Sequence, residues 1–193
     1  SWKKDALRWK NPSSVFSQIS AKSGLIYKHE EQEKFDFNLQ YTLPHKFTQS
    51  GPSIAVGDIN NDGLDDVYIG GSTDFAPQAF IQKGNGTFSP FEIPGITISK
   101  EEEDMGMLFF DADGDEDQEL YVVSGSYEFP VGHSAFSDRL FFNDGTGEFQ
   151  MRSEALPDIR SSGSCVRAAD IDRDGDLDLF IGGRVVSGRY PEI

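Results

Sequence analysis

"DINNDGLDDVYIGG", running from Asp58 to Gly71, places an oxygen-bearing side chain at nearly every second position and then turns abruptly apolar. Its meaning depends on recurrence, and it recurs. "DADGDEDQELYVVSG" (111–125) and "DIDRDGDLDLFIGG" (170–183) repeat the acidic loop and the apolar run behind it. A second element follows the first two copies, because "AFIQKGNGTF" (79–88) aligns without gaps to "LFFNDGTGEF" (140–149). A Leu/Ile-Pro step precedes each acidic loop, at Leu43-Pro44, Ile93-Pro94 and Leu156-Pro157. Self-similarity at a spacing of this size is the signature of a repeat architecture.

Each unit reads as strand, acidic loop, strand, variable loop, strand, Gly-rich turn, strand. The first strands are "SIAVG", "GMLFF" and "CVRAA", and the second are "DVYIGG", "ELYVVSG" and "DLFIGG". These runs are rich in Val, Ile, Phe and Tyr, residues that suit a pleated, half-buried surface. The turns "KGNGT" and "DGTGE" bring the glycines that tight hairpins need for positive φ. The expected fold class is therefore all-β, made of four-stranded antiparallel β-propeller blades. The expected organisation is an entry segment over 1–34 and a repeat region over 35–193. Within that region come the tail of a preceding blade (35–52), blades at 53–95 and 105–157, and a half-blade at 164–193. That makes about three blades, whereas propellers usually have four to eight. The expectation is a partial propeller: a fragment, an open arc, or a piece that closes with a second copy. The tail assignment rests on "FDFNLQYTLP" (35–44), where Phe37 precedes Asp58 by the same interval as Phe149 precedes Asp170. "SSVFSQISAKSG" (13–24) reads equally as a short helix or a strand.

Counted from the first residue of each loop, oxygens fall at positions 1, 3, 5 and 9. They belong to Asp58, Asn60, Asp62 and Asp66, to Asp111, Asp113, Asp115 and Glu119, and to Asp170, Asp172, Asp174 and Asp178. A hard cation such as calcium takes six to eight oxygen ligands, and a tight loop can wrap them around it. Gly63 and Gly175 at position 6 permit a sharp turn, and Leu64, Asp117 and Asp176 at position 7 would offer a backbone carbonyl. An EF-hand needs a bidentate Glu at position 12 between two helices. Position 12 is Ile69, Val122 and Ile181, each in a strand-like run, so the EF-hand is excluded. The metal would instead close at position 9 and bridge the turn of a hairpin. The loop at 111–119 departs most from the pattern: Glu116 stands where the others have glycine and should cost about 1 kcal/mol of backbone strain or more.

The charge supports this reading. The net charge is -16, from 17 basic and 33 acidic residues. The three loops hold 15 of those acids, so nearly all the excess lies in them. Carboxylates a few ångströms apart repel, and compact loops then require a cation. The acidic balance makes nucleic acid an unexpected partner. No run of 18 apolar residues exists, so no membrane insertion is expected. The single cysteine, Cys165, allows no intrachain disulfide and is expected to be a buried, inert thiol.

These loops resemble the DxDxDGxxD calcium loops of FG-GAP/VCBS repeats, found in integrin α-like propellers. "GPSIAVGDINNDGLDDVYIGG" (51–71) is especially similar to the VCBS-type repeats of bacterial secreted and surface proteins, including those joined to an ASPIC/UnbV domain. "FSQISAKSGLIYKHE" (16–30) is similar to the entry segment of such proteins. The Phe-Gly and Gly-Ala-Pro signatures of integrins are not intact, and "DFAPQ" (74–78) only partly matches them. The loops and the resemblance together imply up to three calcium sites, of which that at 111–119 fits the pattern least. It also implies an extracellular, cell-surface or periplasmic setting.

Little else carries chemistry. His29, His45 and His133 are far apart in sequence, and no nucleophile elbow, P-loop or dinucleotide fingerprint occurs. "KEEEDMG" (100–106) reads as a solvated acidic loop. The aromatics of "SYEFPVGHSAFSD" (126–138) could line a rim surface for sugar or protein, or pack under their own loop. The leading expectation is a calcium-stabilised, non-enzymatic binding or scaffold module that takes a protein or glycan ligand on a rim. The alternatives are the propeller domain of a larger, polysaccharide-active enzyme, or a structural spacer.

Overall fold

The computed structural model describes residues 16–96 and 100–192, and these are nearly all β. The first unit comprises β1 (Ile54–Gly57), β2 (Asp66–Ile69), β3 (Gln78–Gln82) and β4 (Phe88–Phe91). The second comprises β5 (Asp104–Phe110), β6 (Glu119–Ser124), β7 (Arg139–Asn143) and β8 (Phe149–Met151). Each is a four-stranded antiparallel meander in chain order, the form of a propeller blade. In the third unit β9 (Gly163–Ala169) pairs with β10 (Asp178–Gly183) as a two-stranded sheet. The acidic loops join the first two strands of every unit. Gly57 pairs with Asp66, Phe110 with Glu119, and Ala169 with Asp178, so position 9 opens the second strand each time.

The units stack through their faces, with β1 beside β5 and β5 beside β9. Alternation along a strand sends neighbouring residues to opposite faces. Met107, Phe109, Leu120, Val122, Phe141 and Phe149 therefore face the first unit, where Ala55, Tyr68 and Ala79 receive them. Phe110, Tyr121, Val123 and Leu140 face the third unit and meet Val166 and Leu179. Gly57 is small because a Cβ there would come within 2.8 Å of the Phe109 side chain. Burial of one such large side chain contributes about 1.5–3 kcal/mol, so apolar packing holds the units together.

An ion cluster sits in the same junction. Asp104 Oδ1 lies 2.6 Å from both Lys100 Nζ and Arg139 Nη2, while Oδ2 accepts the Gly71 N–H at 2.6 Å. Burial pushes Asp104 up, but the charges of Arg139 and Lys100 outweigh it and hold the carboxyl below the usual range. A buried pair of this kind roughly breaks even against desolvation, so it orients the junction more than it stabilises it. "KEEEDMG" is thus not a solvated loop. Glu103 and Asp104 are buried because the Thr73 and Gly71 N–H groups and two cations satisfy them.

Residues 35–52 contain no strand, in contrast to the expected tail of a preceding blade. Asp36–Asn38 forms a 3-10 turn. The buried Asp36 carboxylate anchors it by accepting the Phe47 and Thr48 N–H groups and the Thr48 hydroxyl. Phe37 is therefore not a strand residue equivalent to Phe149. The entry segment has a four-residue helix, Ser20–Ser23, closed by Gly24 at φ 85; residues 1–15 lie outside the described residues. The chain from Glu30 to Gln40 then crosses from unit to unit. Ser72 Oγ donates to the Glu30 carbonyl at 2.7 Å, Lys34 pairs with Glu128 at 2.6 Å, and Gln40 Nε2 donates to the Tyr190 carbonyl at 2.7 Å.

The insert between β6 and β7 packs under itself. Tyr127 and Phe136 are buried, and Tyr127 joins Leu43, Phe47 and Val185 in a small satellite core. Phe129 stacks on His133 at 4.4 Å. Cys165 is exposed, not buried. Its side chain points to the face of β9 opposite Val166, and that face has no further unit packed on it among the described residues.

Candidate metal centres

The three loops share one hydrogen-bond plan. The position 1 carboxylate caps its own turn: Asp58 accepts from the Asp62 and Gly63 N–H groups, Asp111 from Gly114 and Glu116, and Asp170 from Arg173 and Gly175. Position 5 accepts the position 7 N–H, as Asp62 from Leu64, Asp115 from Asp117, and Asp174 from Asp176. Position 9 reaches back to the position 2 N–H: Asp66 accepts from Ile59, Glu119 from Ala112, and Asp178 from Ile171. The carboxylates are thereby held inward on a common frame.

That frame needs two left-handed residues per loop, and the sequence pattern reveals only one of them. Position 6 is left-handed at Gly63, Glu116 and Gly175, and position 4 is left-handed at Asn61, Gly114 and Arg173. Each loop thus carries one glycine and one non-glycine in this region. The second loop exchanges the two, so the glycine expected at position 6 sits at position 4. Glu116, at φ 76, is strained as expected, but Arg173 at φ 66 bears a similar burden in the third loop. Asn61 bears less, because Asn tolerates this region better than most side chains.

The carboxylates converge in two of the loops. Ligand atoms of Asp111, Asp113 and Asp115 lie within 4.8 Å of one another, as do those of Asp170, Asp172 and Asp178. Glu119 is outside the first of these groups, and Asp174 and Asp176 are outside the second. The first loop gathers no such carboxylate triple among the described residues. It has Asn60 at position 3, whose Oδ1 is buried with no hydrogen-bond partner.

Position 9 differs between units. Asp66 and Glu119 are fully buried, whereas Asp178 is exposed. In the first unit the third strand covers the site, and the Gln82 N–H donates to Asp66 Oδ1 at 2.7 Å. In the second, Glu119 Oε2 accepts the Ala112 N–H at 2.6 Å, while Oε1 is buried and meets no donor in hydrogen-bonding geometry. The Asn143 N–H, counterpart of that of Gln82, stabilises the carboxylate from nearby without completing the bond. Burial pushes Glu119 up, and Asp113 and Asp115 add to the shift. Asp66 is likewise raised by burial, against its two backbone hydrogen bonds. Buried acceptors without donors, surrounded by carboxylates, fit a hard cation with oxygen ligands.

Four-stranded meanders with an oxygen-rich first turn define repeat blades of the propeller class. The chain belongs to the FG-GAP-like repeat family, whose profile matches residues 58–122 and 129–181. Both matched spans end at position 12 of an acidic loop, Val122 and Ile181. No curated protein matches the chain.

No described histidine approaches the loops as a ligand. His29 hydrogen-bonds Tyr27 and Glu31, His45 packs on Phe47, and His133 Nδ1 accepts the Ala135 N–H. An open groove of about 450 Å³ lies between the start of β3 and the chain after β4, and no residue of the acidic loops lines it. Among the described residues, no helix is long and apolar enough to cross a membrane.

Proposed function

We propose that this chain is a calcium-binding, non-enzymatic module that serves as a binding or scaffold unit on the outside of the cell, whether secreted, surface-bound or periplasmic. The observation that carries the reading is Glu119. It is a fully buried carboxylate with an orphaned oxygen, close enough to Asp113 and Asp115 to feel their charge, at the closing position of a loop that occurs three times. An unsatisfied buried acceptor costs about 1–3 kcal/mol, and more when charged; a divalent cation removes that cost and the repulsion together. Calcium suits the all-oxygen donor set better than softer metals. Extracellular calcium modules work at about 10⁻⁴ to 10⁻³ M, which fits loops as exposed as 170–178. The likeness of 51–71 to VCBS-type repeats of bacterial surface proteins supports the same setting. Exposed Phe35, Leu39 and Tyr41 in the strandless stretch 35–52 offer a rim surface for a protein or glycan ligand.

Self-association belongs to the same proposal. Ile54 and Val56 are 59% and 57% exposed, yet they occupy the positions of Met107 and Phe109, which pack against a neighbouring unit. A further blade or a second copy fits that face.

Thermal unfolding in calcium and in chelator tests the calcium reading. At about 10 mM calcium such a site is held at roughly 10–100 times its Kd, which stabilises by about 1.4–2.7 kcal/mol, or about 3–10 °C for a chain of this size. An identical transition in millimolar calcium and in EGTA would falsify it.

A further inference from the structure

We infer that the first two acidic loops bind calcium cooperatively and that the third binds independently, because side chains wire loop 1 to loop 2 and, among the described residues, none wires loop 2 to loop 3. The inference rests on the calcium reading above, which it extends from the presence of sites to their regulation.

Three side chains join the first two loops. The Asp58 N–H, at position 1 of loop 1, donates to Gln118 Oε1 at 3.0 Å, and Gln118 is position 8 of loop 2. Asn61 Nδ2, at position 4 of loop 1, donates to Asp117 Oδ1 at 2.9 Å, and Asp117 is position 7 of loop 2. Asn143 Nδ2, on β7, donates to the Ile59 carbonyl in loop 1 at 2.9 Å and to the Gln118 carbonyl in loop 2 at 3.3 Å. Each bridge ends on a residue next to a candidate ligand, or on the ligand residue itself. Gln118 immediately precedes Glu119, the buried carboxylate with the orphaned oxygen. Seating an ion at Glu119 therefore orders Gln118, and Gln118 orders the N-terminal end of loop 1.

The same positions at the next junction lack these groups. Position 4 of loop 2 is Gly114, which has no side chain to reach Asp176. Position 8 of loop 3 is Leu177, which offers no acceptor to the Asp111 N–H and is 47% exposed. The exchange of glycine between positions 4 and 6 in loop 2 has a consequence beyond backbone strain: it removes the outgoing bridge. Coupling between sites is a differential free energy carried by a physical contact and is reciprocal, so a junction without such contacts transmits little.

Calorimetric calcium titrations of the whole chain, with position 5 substituted to silence individual loops, test this. Asp174→Ala leaves loops 1 and 2. Adding Asp62→Ala or Asp115→Ala to it leaves a single loop. The two-site binding constant of Asp174→Ala should exceed the product of the two single-site constants by roughly five-fold or more, the low end of typical coupling. The same ratio for loops 2 and 3, measured in the Asp62→Ala chain, should be about one. Asn61→Gly with Gln118→Leu gives these two positions the residues of the second junction without touching a proposed ligand, and leaves only the Asn143 bridge. It should lower the first ratio toward one and flatten the titration of the otherwise unsubstituted chain. Circular dichroism establishes that each variant folds, and the Asn61→Gly/Gln118→Leu chain gives a reading even if a silenced loop does not. Two independent sites with unchanged affinity would overturn the coupling and leave calcium binding standing. Equal coupling at both junctions would overturn the wiring, and no calcium uptake by any chain would overturn both proposals.

Discussion

Tyr121 and Phe180 hold the same place in the second strands of two units, yet Tyr121 is 4% exposed and Phe180 is 62% exposed. The difference runs through both strands. Every residue of β6 is buried, whereas β10 has no buried residue at all. Glu119 lies sealed beneath a third strand, and Asp178 stands open to solvent. Two stretches with one pattern, one register and one loop therefore have different energetics, because one is packed between neighbours and the other is packed on a single side. A blade cannot complete its own core, as expected where each unit gains stability from the interface with the next.

The largest way to break the comparison is to truncate both aromatics. Tyr121→Ala should cost roughly 3–5 kcal/mol, from a lost ring packed against Val166 and a lost hydrogen bond to Asp138 at 2.8 Å. Phe180→Ala should move stability by less than about 0.5 kcal/mol; chemical denaturation of the two variants reads the difference. A large loss at Phe180 would mean that its face is covered in solution.

The loops sharpen the same contrast at an intermediate scale. Glu119→Gln removes a buried charge and keeps the shape, so it should stabilise the chain in chelator by about 1–3 kcal/mol, read as a higher melting temperature, and shrink the gain on adding calcium. Asp178→Asn should leave the chelator value within about 0.5 kcal/mol, since its carboxylate is already solvated.

The contrast between the two junctions is read through pH. Asp104 marks the first, and its counterpart at the second is Gly163, where a Cβ would run into the Val123 side chain. Beside Asp104, burial pushes Glu103 up to about 7, and the charges of Glu128 and Glu31 add to the shift. A carboxyl raised from 4.5 to about 7 binds its proton more tightly in the folded state. Its contribution is therefore full below pH 4.5 and is lost as pH rises through about 7. Glu103→Gln should abolish that segment of the stability profile and stabilise the chain at pH 8 by up to about 3 kcal/mol. A pH profile unchanged between 4.5 and 7 would show that Glu103 is solvated in the folded state.

Several features were legible in the linear sequence because local chemistry enforces them. Alternating apolar residues select strands, the Gly-rich turns select hairpins, and oxygens at positions 1, 3, 5 and 9 with a strand at position 12 select a hairpin loop over an EF-hand. These choices were made within a dozen residues, and the register of Asp66, Glu119 and Asp178 at the start of the second strand agrees with them. Other features depended on partners far away in the chain. "KEEEDMG" reads as solvent-facing until Arg139 and the Gly71 and Thr73 N–H groups arrive to pair with it. "FDFNLQY" alternates like a strand, but Asp36 is held by Phe47 and Thr48 in a turn. Cys165 sits in a strand, yet its face has no neighbour among the described residues. Gln118 and Asn61 look like ordinary polar loop residues until the stacking of units brings one loop against the other.

The sequence by itself determined the repeat, the strands and the set of oxygens in each loop, since period, propensity and spacing act over short stretches. Only the tertiary structure decided which of three similar carboxylates at position 9 is buried, and which loops touch. Burial and contact are properties of the faces that meet, and a repeated sequence meets different faces at each place in the stack.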